Sequence, residues 1–230
     1  MRVVISSNCM TGGLTSALTM LLPSFQFVPI PYVGIDEDVL DGQLALADAW
    51  LVSAPAEVQA AALKRTAKSA LRHIPFPDLY FSAFHPDQVY AWMRDGSLVE
   101  GATGPYNSAI ALWAWQHGLN AQQTISLFTP EILGALGYHD RWQVSVDRLR
   151  HDFVPFPHLD YRDFIVPLQR AGAFMHTVNH PKVPAMAQMA RLLARQIDPS
   201  IDTEIIPVEN MMVDGLFMAS VSWSVYPSVA

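Results

Sequence analysis

The feature that most constrains this chain is an alternation in its first half. Short apolar runs, "VVIS" (3–6), "FQFVPIPYV" (25–33) and "AWLVSA" (49–54), are separated by longer stretches of helical composition. "LTSALTMLL" follows the first run after a glycine-containing turn, "DEDVLDGQLALAD" follows the second, and Pro55 opens "AEVQAAALKRTAKSALRH" after the third. Runs this short and apolar suit strands buried on both faces. A helix between consecutive strands gives the long crossover that parallel pairing needs. The acidic residues at the head of the second helix and Pro55 at the head of the third suit helix N-termini. Pro29 and Pro31 cannot donate to a strand ladder, so they put the second strand at a sheet edge. The expectation is an α/β fold: a small, mostly parallel sheet with helices on both faces.

"DLYFSAF" (78–84) and "AFMHTV" (173–178) read as two further strands. From about 107 to 170 the chain reads as helical in pieces, distorted or divided at Pro167, and "VPAMAQMARLLARQID" is a longer helix. No linker-like segment interrupts the chain. A single helix-rich α/β domain over 1–230, with a helical insertion at about 107–170, is the expected organisation.

Composition narrows the function. Hydrophobic residues make up 51% and charged residues 15%, which suits a sizeable core. The net charge is −7, so the overall field does not attract nucleic acid. One cysteine excludes an intrachain disulfide and a cysteine-based zinc site. His176 and His180 lie on an extended segment and are not a helical ligand pair, so no metal is expected. The other histidines fall in helical or loop contexts that suit structural or solvated roles. No stretch reaches the ~18–20 apolar residues of a membrane span, and "MRVVISSNC" is too short in its apolar part for a signal peptide. The expectation is a cytoplasmic protein.

Ligands of open parallel sheets bind beyond the carboxyl ends of the strands. Polar groups stand at three expected strand ends: Ser6, Ser7, Asn8 and Cys9; His85, Pro86 and Asp87; Asn179, His180 and Pro181. A proline holds the residue before it extended and is tolerated at the start of a helix, so His-Pro places an imidazole at a strand–helix junction. Asp87 would lie in the first helical turn and orient His85. A helix N-terminus beside Cys9 would lower its thiol pKa, and a Cys with a His partner is a nucleophile-and-base arrangement. Asn8 and the backbone N–H groups of "NCMTGG" are oxyanion donors, and Gly12 and Gly13 permit close approach of a ligand. The plainer alternatives are a packed cysteine and helix-start or turn devices at the two His-Pro pairs.

Lys64, Lys68 and Arg72 follow i, i+4, i+8 spacing, with Arg65 and His73 beside them. A solvated helix face explains this stripe, and so does a seat for the phosphates of a nucleotide-bearing cofactor. No Gly-x-Gly-x-x-Gly or Walker loop is present.

"SSNCMTGG", "PDLYFSAFHPDQVY", "NSAIALWAWQHGLNAQQTISLF", "LGYHDRW", "TVNHPKVPAMAQMARLLARQI" and the closing "WSVYPSVA" occur in an order that resembles the WcbI-type polysaccharide biosynthesis enzymes. The likeness spans most of the chain. It departs at the first motif, where the family's Gly-Asn-Cys-Gln is replaced by Ser7-Asn8-Cys9-Met10. The resemblance implies binding of coenzyme A or acetyl-CoA and acetyl transfer to a sugar hydroxyl in capsule or exopolysaccharide assembly. It places Asn8, Cys9, His85, Asp87, Asn179 and His180 at the site. In that scheme His85 takes the acceptor's proton, and the stripe of Lys64, Arg65, Lys68 and Arg72 receives the phosphates. Two other classes stay open: an esterase or deacetylase using the same groups with water, and a non-catalytic glycan-binding protein in which Trp92, Trp113 and Trp115 stack on sugars.

Overall fold

The computed structural model describes residues 1–66, 70–102, 104–214 and 222–226. The chain divides into two compact units. The first comprises Met1–Asp78, Arg150–Phe174 and Pro181–Asp214; the second comprises Leu79–Leu149, Met175–His180 and Gly215–Ala230.

The first unit carries the alternation. In order come β1 (Arg2–Ser6), α1 (Thr11–Leu21), β2 (Gln26–Pro29), α2 (Glu37–Leu46), β3 (Ala49–Val52), α3 (Ala56–Thr66) and β4 (Arg72–Pro75). The strands pair in parallel in the order β2-β1-β3-β4. The central strands are sealed: Val3, Val4, Ile5, Ala49, Trp50, Leu51 and Val52 have no exposure. Val4, Trp50 and Val52 pack with Leu40 and Leu44 of α2 and Ala62 of α3. The residues of opposite parity point to the other face. The Trp50 indole N–H donates to Ser6 Oγ at 2.9 Å, which satisfies two buried polar groups. β2 takes the edge that its prolines require. This is the expected α/β sheet with helices on both faces.

Two expected strands differ. The fourth strand is Arg72–Pro75, not 78–84. Its "RHIP" buries only Ile74, so it carries almost no apolar signal, and the alanine-rich sequence before it extended the helical reading too far. Leu79, Phe81 and Ala83 do alternate as buried residues, as a strand would, but the segment belongs to no sheet. Met175–Thr177 is a strand, yet it pairs in a small hairpin with His180–Pro181 and not with the parallel sheet.

In the second unit the helical pieces are separate because each has its own start. Ser108 Oγ accepts the Ala111 N–H ahead of Ala109–Gln116. Asn120 and Gln123 form a reciprocal capping box at Ala121–Ile125. Thr129 caps Pro130–Ala135, with proline at the first helical position. In the first unit, α1 packs against the long helix Val183–Ile197. Among the described residues no helix is long and apolar enough to cross a membrane.

Candidate functional site

The carboxyl ends of the four parallel strands bring polar groups together in the first unit. Ser7 follows β1 and Ser53 follows β3, and their hydroxyls lie 2.9 Å apart. Tyr32, just beyond β2, donates its backbone N–H to the Ser7 carbonyl at 3.1 Å. Its hydroxyl donates to Asp78 Oδ2 at 3.3 Å, and Asp78 lies just beyond β4. Asn8 shapes the turn from β1 into α1: its Oδ1 accepts the Met10 N–H at 3.0 Å, and its carbonyl accepts the Thr11 hydroxyl at 2.8 Å. Cys9 is exposed, with Sγ 3.7 Å from Asn8 Oδ1.

The protein around these groups sets their protonation. Desolvation pushes the Cys9 thiol up to about 11, against a backbone hydrogen bond that pulls it down, and the charge of Asp78 adds to the rise. The thiolate expected from the helix N-terminus is therefore not the resting form. Burial and the neighbouring Asp78 raise Tyr32 to about 12. Burial also lifts the Asp78 carboxyl above its ordinary range, against the hydroxyls of Ser53 and Tyr32.

The expected phosphate seat is dispersed. Arg65 pairs with Asp41 at 2.6 Å and Glu37 at 3.2 Å. Arg72 is on β4, not on the helix, and its guanidinium donates to the carbonyls of Gln196 and Ile197 at 2.8 and 3.2 Å, where it closes the end of the long helix. Lys68 lies outside the described residues. Lys64 is exposed. Gly12 is exposed in the first turn of α1. Gly13 is buried, and a Cβ there would overlap the Met186 side chain, so its glycine serves helix packing and not ligand approach.

In the second unit His85 and Asp87 are both buried, at 1% and 0% exposure. The His85 Nε2–H donates to the Met175 carbonyl at 3.2 Å. Asp87 does not orient His85 through any contact described. Its Oδ1 accepts the Ile110 N–H at 3.0 Å and the Tyr138 hydroxyl at 3.2 Å, and its Oδ2 accepts the Tyr226 hydroxyl at 2.9 Å. The carboxylate thus holds the start of a helix and two tyrosines.

His180 stands in a different setting. Asn179 Oδ1 accepts the hydroxyls of Tyr106 at 2.9 Å and Thr177 at 3.1 Å. Those same hydroxyl oxygens lie 2.9 and 2.8 Å from His180 Nδ1. With both hydroxyl protons directed at Asn179, Nδ1 is the donor and Nε2 carries the lone pair. The Asn179 amide nitrogen donates to the Tyr90 hydroxyl at 3.1 Å. Burial lowers the His180 pKa, and His176 lowers it further, so the ring is neutral at neutral pH.

Of the residues expected from sequence, Asn8 and Cys9 share one cluster, and Asn179 and His180 share another. Ser7, already read at the first strand end, joins the first cluster through Ser53; Ser53, Tyr32 and Asp78 were missed there. Their signal was position, since each lies just past a strand, and the last depends on placing β4 correctly. Tyr90, Tyr106 and Thr177 were missed in the second; Tyr106 lies 74 residues from His180 and has no local signature.

An open parallel sheet with polar groups and a thiol beyond its carboxyl ends is the α/β arrangement in which ligands bind at the strand ends. The chain belongs to the WcbI family: residues 2–201 match the family described as polysaccharide biosynthesis enzyme WcbI. The fold is that of a solved WcbI structure, with a TM-score of 0.73 at 16% identity, covering 99% of this chain and 78% of that one. That protein is described as a novel polysaccharide biosynthesis enzyme, native, without disulfide bond between coenzyme A and a cysteine. No curated protein matches the chain.

Proposed function

We propose that this protein transfers an acyl group from a coenzyme A thioester to a sugar hydroxyl during capsule or exopolysaccharide assembly. The observation that carries the reading is the place of Cys9. It is the one cysteine of the chain and sits exposed at the carboxyl edge of the sheet. The WcbI structure of the same fold is described in terms of coenzyme A and a cysteine.

The residues fit the thioester end of the donor. Asn8 spends its oxygen on the Met10 N–H, which leaves its amide nitrogen as a donor for an oxyanion. Cys9, a neutral thiol at neutral pH, lines this seat and is not a standing nucleophile. The exposed first turn of α1 at Gly12 offers backbone N–H groups to phosphate oxygens. Acetyl-CoA supplies the activated acyl group. In the second unit the neutral imidazole of His180, held by Asn179, Tyr106 and Thr177, is the base, with its lone pair on Nε2. His85 is too buried for that role and braces the Met175 backbone instead.

Calorimetry with coenzyme A, followed by thiol release from acetyl-CoA with sugar acceptors, tests the reading. Binding and acceptor-dependent thiol release are expected, with His180→Ala slowing transfer by about a hundredfold or more. No binding at about 1 mM coenzyme A removes the donor. Cleavage of a simple acetyl ester without coenzyme A replaces transfer by hydrolysis.

A further inference from the structure

Three aromatic contacts run in series through the second unit. Ring centroids are 6.1 Å apart for Trp92 and Tyr90, 5.3 Å for Tyr90 and Tyr106, and 5.7 Å for Tyr106 and His180. Exposure falls along the series: Trp92 is 63% exposed, Tyr90 half-buried, and Tyr106 6% exposed. The series therefore leads from solvent to the imidazole.

The exposed end is built, not loose. Tyr90 and Trp92 are two residues apart on an extended segment, so they share a face. Trp92 bridges Leu98 in an antiparallel pair, the Val99 N–H donates to the Ala91 carbonyl at 2.9 Å, and the Met93 N–H donates to the Ser97 carbonyl at 2.8 Å. The turn closes on Gly96, whose φ of 84° suits glycine, and Asp95 Oδ1 accepts the Ser97 N–H at 2.9 Å. Asn107 ties the base of the arm through the Val99 carbonyl at 2.9 Å. Leu98, bridged to Trp92, and Met93 beside it are exposed too, so Trp92 belongs to an apolar surface and is not a lone exposed ring.

Proton counting adds the polar half. Asn179 donates to the Tyr90 oxygen, so the Tyr90 O–H proton is left to donate elsewhere. Among the described residues neither that proton nor the Trp92 indole N–H has an acceptor. Each ring thus offers an apolar face and a donor, the combination that matches a pyranose, with its C–H face and its hydroxyls. A protein partner would not need this descent toward an imidazole.

We infer that Trp92 and Tyr90 form the subsite for the acceptor sugar, a neutral hexopyranose stacked on Trp92 with a ring or hydroxyl oxygen accepting from Tyr90. This rests on the reading of His180 as the base, because the subsite leads to that residue.

Saturation-transfer NMR with methyl β-glucoside, methyl β-galactoside, cellobiose and lactose at up to tens of millimolar tests it without any coenzyme A. The full-length protein is expected to bind at least one of these probes through its C–H face. Trp92→Ala weakens binding about five- to tenfold, Trp92→Phe weakens it less, and Tyr90→Phe weakens it severalfold. With acetyl-CoA present, Trp92→Ala raises the acceptor KM and leaves kcat and coenzyme A affinity in place. Sugar binding that Trp92→Ala does not change overturns the subsite, as does no binding of any probe by the unaltered protein. Self-association lost in Trp92→Ala, without sugar binding, also overturns it and makes the arm an interface. Trp92-dependent sugar binding in a protein that shows no acyl transfer keeps the subsite and discards the transferase reading.

Discussion

The Tyr106 hydroxyl lies 2.9 Å from His180 Nδ1 while it donates to the carboxamide oxygen of Asn179. That relationship holds the imidazole proton on Nδ1 and makes Nε2 the basic nitrogen. His180 has a lowered pKa, so its sign in pH terms is fixed. Activity that needs the neutral ring is constant above the ordinary histidine value of 6.5 and falls only below it. Tyr106→Phe removes one anchor, so it is expected to lower kcat about tenfold with little change in KM. A kcat profile whose acid limb lies above 6.5, or one unmoved by His180→Ala, contradicts this assignment.

Cys9 provides a second check that needs no substrate. Its thiol is pushed up to about 11, chiefly by desolvation. Alkylation by iodoacetamide should be slow at pH 7 and rise with a midpoint near 11, against about 8.5 for an ordinary thiol. Mass spectrometry reads this directly, because there is one cysteine to modify. A midpoint at or below 8 restores the activated nucleophile that the helix N-terminus suggested.

The parallel sheet was legible where strands are buried on both faces. β1 and β3 are nearly unbroken apolar runs, and the prolines of β2 announced an edge. β4 was not legible, because an edge strand with one buried residue has no period to read. His-Pro near residue 180 does not end a strand of the parallel sheet: the strand before it turns back as a hairpin. Asp87 was visible as a polar residue, but its partners Tyr138 and Tyr226 lie 51 and 139 residues away. Arg65 looked like a spare cation because Asp41, its counter-ion, is on another helix. Local chemistry could be read; pairings over long sequence distances required the fold.

Asp87 should matter first to stability. Its carboxylate serves one backbone N–H and two tyrosine hydroxyls with no solvent exposure. Asp87→Ala strands those donors and is expected to cost about 3–5 kcal/mol, and Tyr226→Phe about 1–2 kcal/mol. Burial, then the charge of Asp87, lifts Tyr138 to about 12 and Tyr226 also upward. Raised tyrosines hold their proton longer in the folded state, so their stabilising contribution is complete below pH 10 and lost as pH rises through the folded values. Urea melts across pH 7 to 11 measure both effects. A Tyr226→Phe protein as stable as its parent, with the same alkaline slope, removes Asp87 as the anchor.

Asp78 is expected to behave in the opposite sense. Its carboxyl is raised above 3.8 by burial, so the folded state keeps its proton after the unfolded chain has lost it. Stability therefore falls as pH climbs from 3.8 through the folded value, and the cost persists at neutral pH. Asp78→Asn retains an acceptor for the Tyr32 hydroxyl and removes the buried charge. The Tm at pH 7 should rise, and Cys9 should alkylate faster because one cause of its raised pKa is gone. A charge that destabilises the fold at the carboxyl edge of a parallel sheet is a candidate for ligand contact. Coenzyme A affinity in Asp78→Asn separates the two. Higher Tm with altered affinity supports a functional carboxylate, whereas a lower Tm with unchanged affinity makes Asp78 a stabilising partner of Tyr32.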